Sequence, residues 1–251
     1  MKKIIFVFLF LILLLPSSSF AMNENTEFST TKYYKTITYL GNSNLLSLTG
    51  NKDNSYTIEI TKEEFEDYNP NSLIIPLDVT NGYVETGYKK MTTSIVKNGN
   101  NFRYKVVLNW KTMPKTRSFD IIGIGYQSNV KYKQQSINFI QKYCYSSGQC
   151  KNDYNYKAYL GKNGVGAKFE LPEGTLKTLE QTLYFDIEKT NSSQSLSRQY
   201  VYGDYSHATK RISQTDSEKY TVGLNGITLD FSITNYYDAI DSATAIWSGT
   251  W

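Results

Sequence analysis

Two stretches of strict alternation constrain this chain more than anything else in it. In "MTTSIVKNGNNFRYKVVLNW", residues 91–110, Phe102, Tyr104, Val106, Leu108 and Trp110 fall on every second position, and Asn98-Gly99 supplies a type I′ turn signal. With those two residues as the loop, Ile95 faces Phe102, Thr93 faces Tyr104 and Met91 faces Val106, while Ser94–Arg103 and Thr92–Lys105 occupy the other face. "YTVGLNGITLDFSI", 220–233, repeats the pattern. An Asn225-Gly226 loop sets Leu224 against Ile227, Val222 against Leu229 and Tyr220 against Phe231. Each hairpin has one apolar face, which calls for antiparallel sheets packed on one side.

Shorter runs extend the strand inventory: 33–40, 55–61, 73–79, 117–126, 165–171, 182–188 and 199–205, punctuated by Gly, Asn and Pro. Helical signals are few. Thr61 and Glu64 have capping-box spacing at the head of "TKEEFEDY". Leu176, Leu179 and Leu183 stand at helical spacing in a segment that could equally begin a strand. With 22 tyrosines and 12 phenylalanines, the composition suits pleated, half-buried surfaces. The expected fold is mainly β: an antiparallel β-sandwich over 32–251, either one elaborated sandwich or two smaller ones divided near 127–160, with little helix. Residues 22–31 and 189–198 are polar and expected to fray.

The chain opens "MKKIIFVFLFLILLLPSSSFAMNENTEF". Lys2 and Lys3, an apolar run from Ile4 to Leu15, and Ser19-Phe20-Ala21 read as a secretory signal peptide cleaved after Ala21. The apolar run is shorter than the roughly 20 residues a spanning helix needs. The mature chain is therefore expected outside the cell, with no stable transmembrane segment, no lipid anchor at the cleavage site and no sorting tail. Without Lys2 and Lys3 its basic residues number 25 (27 minus 2) against 23 acidic ones. So small an excess does not point to nucleic acid, which requires a clustered basic face.

Export gives Cys144 and Cys150, in "YCYSSGQCK", an oxidising setting, and the short Ser/Gly-rich loop between them favours a disulfide. No metal site is expected from two cysteines without further ligands, and no cofactor motif is present. His207 is the sole histidine. That excludes the H-E-x-x-H metalloprotease pattern, and no G-x-S-x-G elbow occurs. His207 is read as a structural residue at a strand end, so no catalytic residue is assigned.

Residues 126–159 hold seven tyrosines and five lysines against Asp153 alone. Tyr132, Tyr143, Tyr145, Tyr154, Tyr156, Lys142 and Lys151 are the candidate contact residues, with the Cys144–Cys150 loop shaping part of the surface. Tyrosines offer flat apolar faces with polar tips, and lysines attract anionic polymers. The function these features favour is non-enzymatic binding of an extracellular surface ligand: a glycan, a wall polymer or a protein. A membrane-active pore former built on hairpin 91–110 is the alternative, and a glycan hydrolase with a spatially paired carboxylate set is the third reading.

Overall fold

The computed structural model describes residues 26–40, 55–67, 83–98 and 100–251. The expected leader and the 73–79 run lie outside them. Along the chain the strands are Thr26–Leu40 (β1), Ser55–Ile60 (β2), Tyr83–Asn98 (β3), Asn101–Trp110 (β4), Phe119–Tyr126 (β5), Val130–Tyr132 (β6), Asn138–Tyr145 (β7) and Cys150–Asp153 (β8). They continue with Lys157–Gly161 (β9), Gly164–Glu170 (β10), Leu176–Lys189 (β11), Arg198–Ser206 (β12), Tyr220–Gly223 (β13), Gly226–Leu229 (β14) and Asp241–Ser248 (β15).

The strands form two large sheets. The first has the order β2-β1-β3-β4-β11-β7-β8, with β6 also paired to β11; the second runs β15-β12-β5-β10-β9. Their pairings are antiparallel. The fold is thus a mainly β, antiparallel sandwich. Residues 127–160 supply β6, β7 and β8 to the first sheet and β9 to the second. Thr26–Thr31, expected to fray, pair instead with Thr92–Lys97 of β3, because the alternation that drives β3 leaves an edge for them to extend. In the 189–198 segment, Leu196 is buried and its backbone exchanges hydrogen bonds with Trp251.

The core between the sheets follows from alternation. Met91, Ile95, Phe102, Tyr104, Val106, Leu108, Leu183, Phe185 and Ile187 point inward from the first sheet. They meet Ile122, Ile124, Val165, Ala167, Val201, Ala243, Ala245 and Trp247 from the second. Burying each large side chain here stabilises by about 1.5–3 kcal/mol. Phe185 makes edge contacts with Tyr104 and Tyr126.

The outer face of the second sheet is covered too. The β13–β14 hairpin and a 3-10 turn, Phe231–Tyr236, close a second apolar layer of Ile121, Tyr220, Val222, Ile227, Ile233 and Tyr237. The hairpin backbone lies directly on the sheet. A Cβ at Gly125 would collide with the carbonyls of Gly223 and Leu224, and one at Gly164 with Val222. Asp204 reaches through from β12 and accepts the Ile227 amide at 2.7 Å.

Both hairpins form, and both differ in register from the expectation. Ile95 pairs with Tyr104 and Thr93 with Val106, so the turn is one residue later than Asn98-Gly99. Val222 pairs with Ile227 and Tyr220 with Leu229, so the second turn is one residue earlier, with Gly226 closing it at φ +89°. Each shift moves the pairing by two residues. Parity is kept, so the faces stay as expected while the partners change. Two residues expected on the apolar face do not reach it: Phe231 leaves the ladder and stands 91% exposed, and Leu224 falls in the turn and is exposed. The short helix Lys62–Glu66 (α1) carries the anticipated reciprocal cap between Thr61 and Glu64. Leu176 and Leu179 share a strand face despite helical spacing because the register shifts between Leu176 and Thr178.

Candidate functional site

The tyrosines of 126–159 are distributed over two environments. Tyr126 is fully buried, Tyr132 packs against Phe185, and Tyr156 packs on Phe139 with its hydroxyl donating to the Ile137 carbonyl. Tyr154 is exposed, and Tyr159 stacks at an angle on Tyr220 under the hairpin cap. Tyr143 and Tyr145 meet edge to face at 5.5 Å, with the Lys151 ammonium 5.7 Å from the Tyr145 ring. Burial pushes the Tyr143 hydroxyl pKa up, helped by its hydrogen bond with Tyr145.

Antiparallel register brings part of this set to one place. Asn109 of β4 pairs with Glu180 of β11, Glu180 with Lys142 of β7, and Lys142 with Asn152 of β8. The four residues form a polar row across the outward face of the first sheet. Lys142 and Glu180 are 3.6 Å apart as a half-exposed ion pair. One step along, Thr178 lies beside Cys144, which is bonded to Cys150 across the β7–β8 ladder with Cα atoms 4.0 Å apart. These residues line a cleft of about 500 Å³ that also touches Trp110, Tyr143, Lys151 and Leu179.

The cleft therefore unites Lys142, Tyr143, Lys151 and the disulfide from the expected set with Asn109, Asn152, Thr178 and Glu180, which the sequence does not single out. Residues numbered 109, 142, 152 and 180 share no local pattern; only the register assembles them. Glu180 is the single carboxylate among the lining residues. Among the described residues no group of three His, Cys, Asp or Glu side chains could hold a metal, and no helix is long and apolar enough to cross a membrane.

A second polar constellation is sealed inside. His207 is 5% exposed, its Nδ1 lies 3.0 Å from both oxygens of Asp120, and its ring stands edge-on to Trp110. Asp120 also accepts from the Tyr205 hydroxyl and the Ala208 amide. Next to it, Lys89 Nζ is 2.7 Å from Asp238 Oδ2 and 2.7 Å from Asp241 Oδ2, all three side chains being withdrawn from solvent. The Trp110 and Tyr205 rings flank the ammonium at 5.4 and 5.2 Å. Asp238 is further held by Thr57 Oγ1 at 3.0 Å and the His207 amide at 2.7 Å. Asp241, by contrast, is held through the contact of its Oδ2 with the Lys89 ammonium.

Burial drives the Asp241 carboxyl up to about 7; the Lys89 charge opposes that rise and the Asp238 charge adds to it. Burial alone would lower the Lys89 ammonium, but Asp238 and Asp241 outweigh it and its pKa is raised.

No protein-family model matches the chain, and no curated protein matches it. It is similar to several solved structures. The collagen-binding domain from a Staphylococcus aureus adhesin is 13% identical over 41% of this chain and 74% of that one, with a TM-score of 0.28. The T6 backbone pilin of serotype M6 Streptococcus pyogenes is 6% identical over 92% and 65%, at 0.35. AvmM, which catalyses macrocyclization in alchivemycin A biosynthesis, is 6% identical over 60% and 82%, at 0.28. Likenesses of this size carry no functional argument, and the proteins concerned differ in what they do.

Proposed function

We propose that the chain is a secreted, non-enzymatic β-sandwich protein that binds an extended polar ligand outside the cell: a glycan, a wall polymer or a protein. The observation that carries this reading is the row Asn109, Glu180, Lys142, Asn152 beside the cleft on the first sheet. Three inter-strand spacings of ~4.8 Å give the row a length of roughly 14 Å, about that of four residues of extended peptide. Two amides, a carboxylate and an ammonium offer donors and acceptors in alternation, which suits a ligand rich in hydroxyl or amide groups. Lys142 and Lys151 against Glu180 leave a local positive excess that favours anionic polymers.

Secretion rests on the leader signature, and sequencing of exported protein is expected to start at Met22. Binding is tested with the triple variant Asn109→Ala, Lys142→Ala, Asn152→Ala against isolated cell walls, immobilised matrix proteins and a glycan array. A loss of about 1–2 kcal/mol, roughly 5–30-fold, is expected on the surface the parent binds. A parent that binds none of these surfaces, or a folded variant that binds as the parent does, overturns the reading.

A further inference from the structure

A buried ammonium pressed between two carboxylates is an expensive way to use an interior. Desolvating such a set commonly costs more than its Coulombic attraction returns. Lys89, Asp238 and Asp241 are nevertheless sealed, with side-chain exposures of 0%, 0% and 1%. Their positions belong to different parts of the sandwich: Lys89 on β3 of the first sheet, Asp241 at the head of β15 in the second, and Asp238 three residues before it.

We propose that Lys89 and Asp241 condense into an amide, so that the chain carries a self-made covalent cross-link between its two sheets, with Asp238 moving the protons. The chemistry needs no co-reactant. Asp238 carboxylate takes a proton from the Lys89 ammonium across 2.7 Å. The freed amine attacks Cγ of the neutral Asp241 carboxyl, a C–N bond forms, and a proton passes from nitrogen to the former carbonyl oxygen. Asp238 then gives its proton to one hydroxyl, the C–O bond breaks and water departs. The remaining hydroxyl returns a proton to Asp238 as the amide carbonyl forms. Three protons on the ammonium and one on Asp241 at the start become one on the amide nitrogen, two in water and one on Asp238. Nothing is oxidised or reduced, and the charged pair is replaced by neutral groups.

Each requirement of that sequence has a counterpart in the site. Contact between amine and acid supplies the proximity that makes intramolecular attack fast. The aromatic walls of Trp110 and Tyr205 keep water from the ammonium, and burial shifts the Asp241 carboxyl toward its neutral form, so the amine needs only the proton transfer to Asp238 to be freed. Thr57 Oγ1 and the His207 amide hold Asp238 in place as the proton carrier. Asp241 Oδ2 lies 2.7 Å from the ammonium nitrogen, so the carboxyl that is attacked is already in contact with the nucleophile. The inference does not depend on the binding row.

Intact-mass measurement of the purified, folded and then fully reduced full chain tests it. The expected mass is below that of its sequence by one water molecule, and fragmentation of a proteolytic digest is expected to show a branched peptide joining Lys89 to Asp241. Asp238→Ala is expected to slow appearance of the cross-link in refolding chains by on the order of 10²-fold or more, and Lys89→Met to abolish it. Should either variant fail to fold, the parent's mass still decides. A parent of full mass with Lys89 and Asp241 in separate linear peptides overturns the proposal. So does a water loss mapped elsewhere, or a branch through Asp238. A folded Asp238→Ala that cross-links at the parental rate overturns the role given to Asp238.

Discussion

Adding one methyl group at Gly125 is expected to lift the β13–β14 hairpin off the second sheet. A Cβ there meets the carbonyl oxygens of Gly223 and Leu224 and the amide nitrogen of Gly226, all backbone atoms that cannot rotate aside. Overpacking of this kind costs about 1–3 kcal/mol. Full release of the hairpin would re-expose Val222 and Ile227, now 2% and 5% exposed, which sets a ceiling of about 5 kcal/mol. Two substitutions calibrate the reasoning. At Gly123 the new methyl meets side-chain atoms of Ile227 and Val222, which can give way, so about 1 kcal/mol is expected. At Gly223 nothing lies within 4 Å, and reduced freedom of the unfolded chain makes alanine neutral or stabilising by up to about 0.5 kcal/mol. Urea denaturation followed by tryptophan fluorescence measures all three. For a chain of this size each kcal/mol moves Tm by about 2–4 °C, so Gly125→Ala, at about 1–3 kcal/mol, should melt about 2–12 °C below the parent. Gly125→Ala within about 0.5 kcal/mol of Gly223→Ala would refute the idea that backbone contact fixes this glycine.

Tyr143→Ala should destabilise by about 3 kcal/mol, since its ring is 9% exposed, while Tyr154→Ala, at 57%, should stay within about 0.5 kcal/mol; thermal melts of both compare them. Glu218 holds the buried Lys168 at 2.9 Å and also pairs with Lys157, and those hydrogen bonds lower its carboxyl to about 2 from 4.5. Its contribution to stability is therefore present above about pH 4.5 and lost as pH falls through about 2. Glu218→Gln should flatten that part of the acid-denaturation curve. Reducing Cys144–Cys150, whose separation of 6 residues closes a short loop, should cost about 2 kcal/mol, read as a lower urea midpoint.

What the sequence makes legible here is parity, and what it hides is register. Tyr104, Val106 and Leu108 announce an inward face by spacing alone, and a two-residue slip leaves that announcement intact. The turn itself is decided by what the hairpin packs on. Gly226 faces the Asp204 carboxylate where a Cβ could not fit, and a residue 22 positions earlier gives no local sign of that. Tyr143 is inward for the same reason as Phe139, the buried parity of its strand, whereas Tyr126 lies on a strand buried on both faces. Tyrosine suits both a surface and a core, so composition alone does not separate the two. Lys89 is concealed more thoroughly still, since a Lys89-Lys90 pair in a strand reads as solvated until Asp238 and Asp241 arrive from a distant part of the chain.

The order of strands also sets a schedule for folding. β4 can pair at once with β3, but its other neighbour is β11, and β5 must wait for β10 and β12. The last to arrive is β15, whose Ser242 carbonyl takes the Tyr34 hydroxyl at 2.6 Å, while Trp251 fastens to Leu196 by two reciprocal backbone bonds. A chain emerging amino end first therefore cannot complete the first sheet until β11 appears, nor the second until β15 does. Such non-local pairing is slow. It delays closure of the sandwich until late in synthesis, and leaves the free edge of β4 open to wrong partners until β11 is made, and those of β5 until β10 and β12 are.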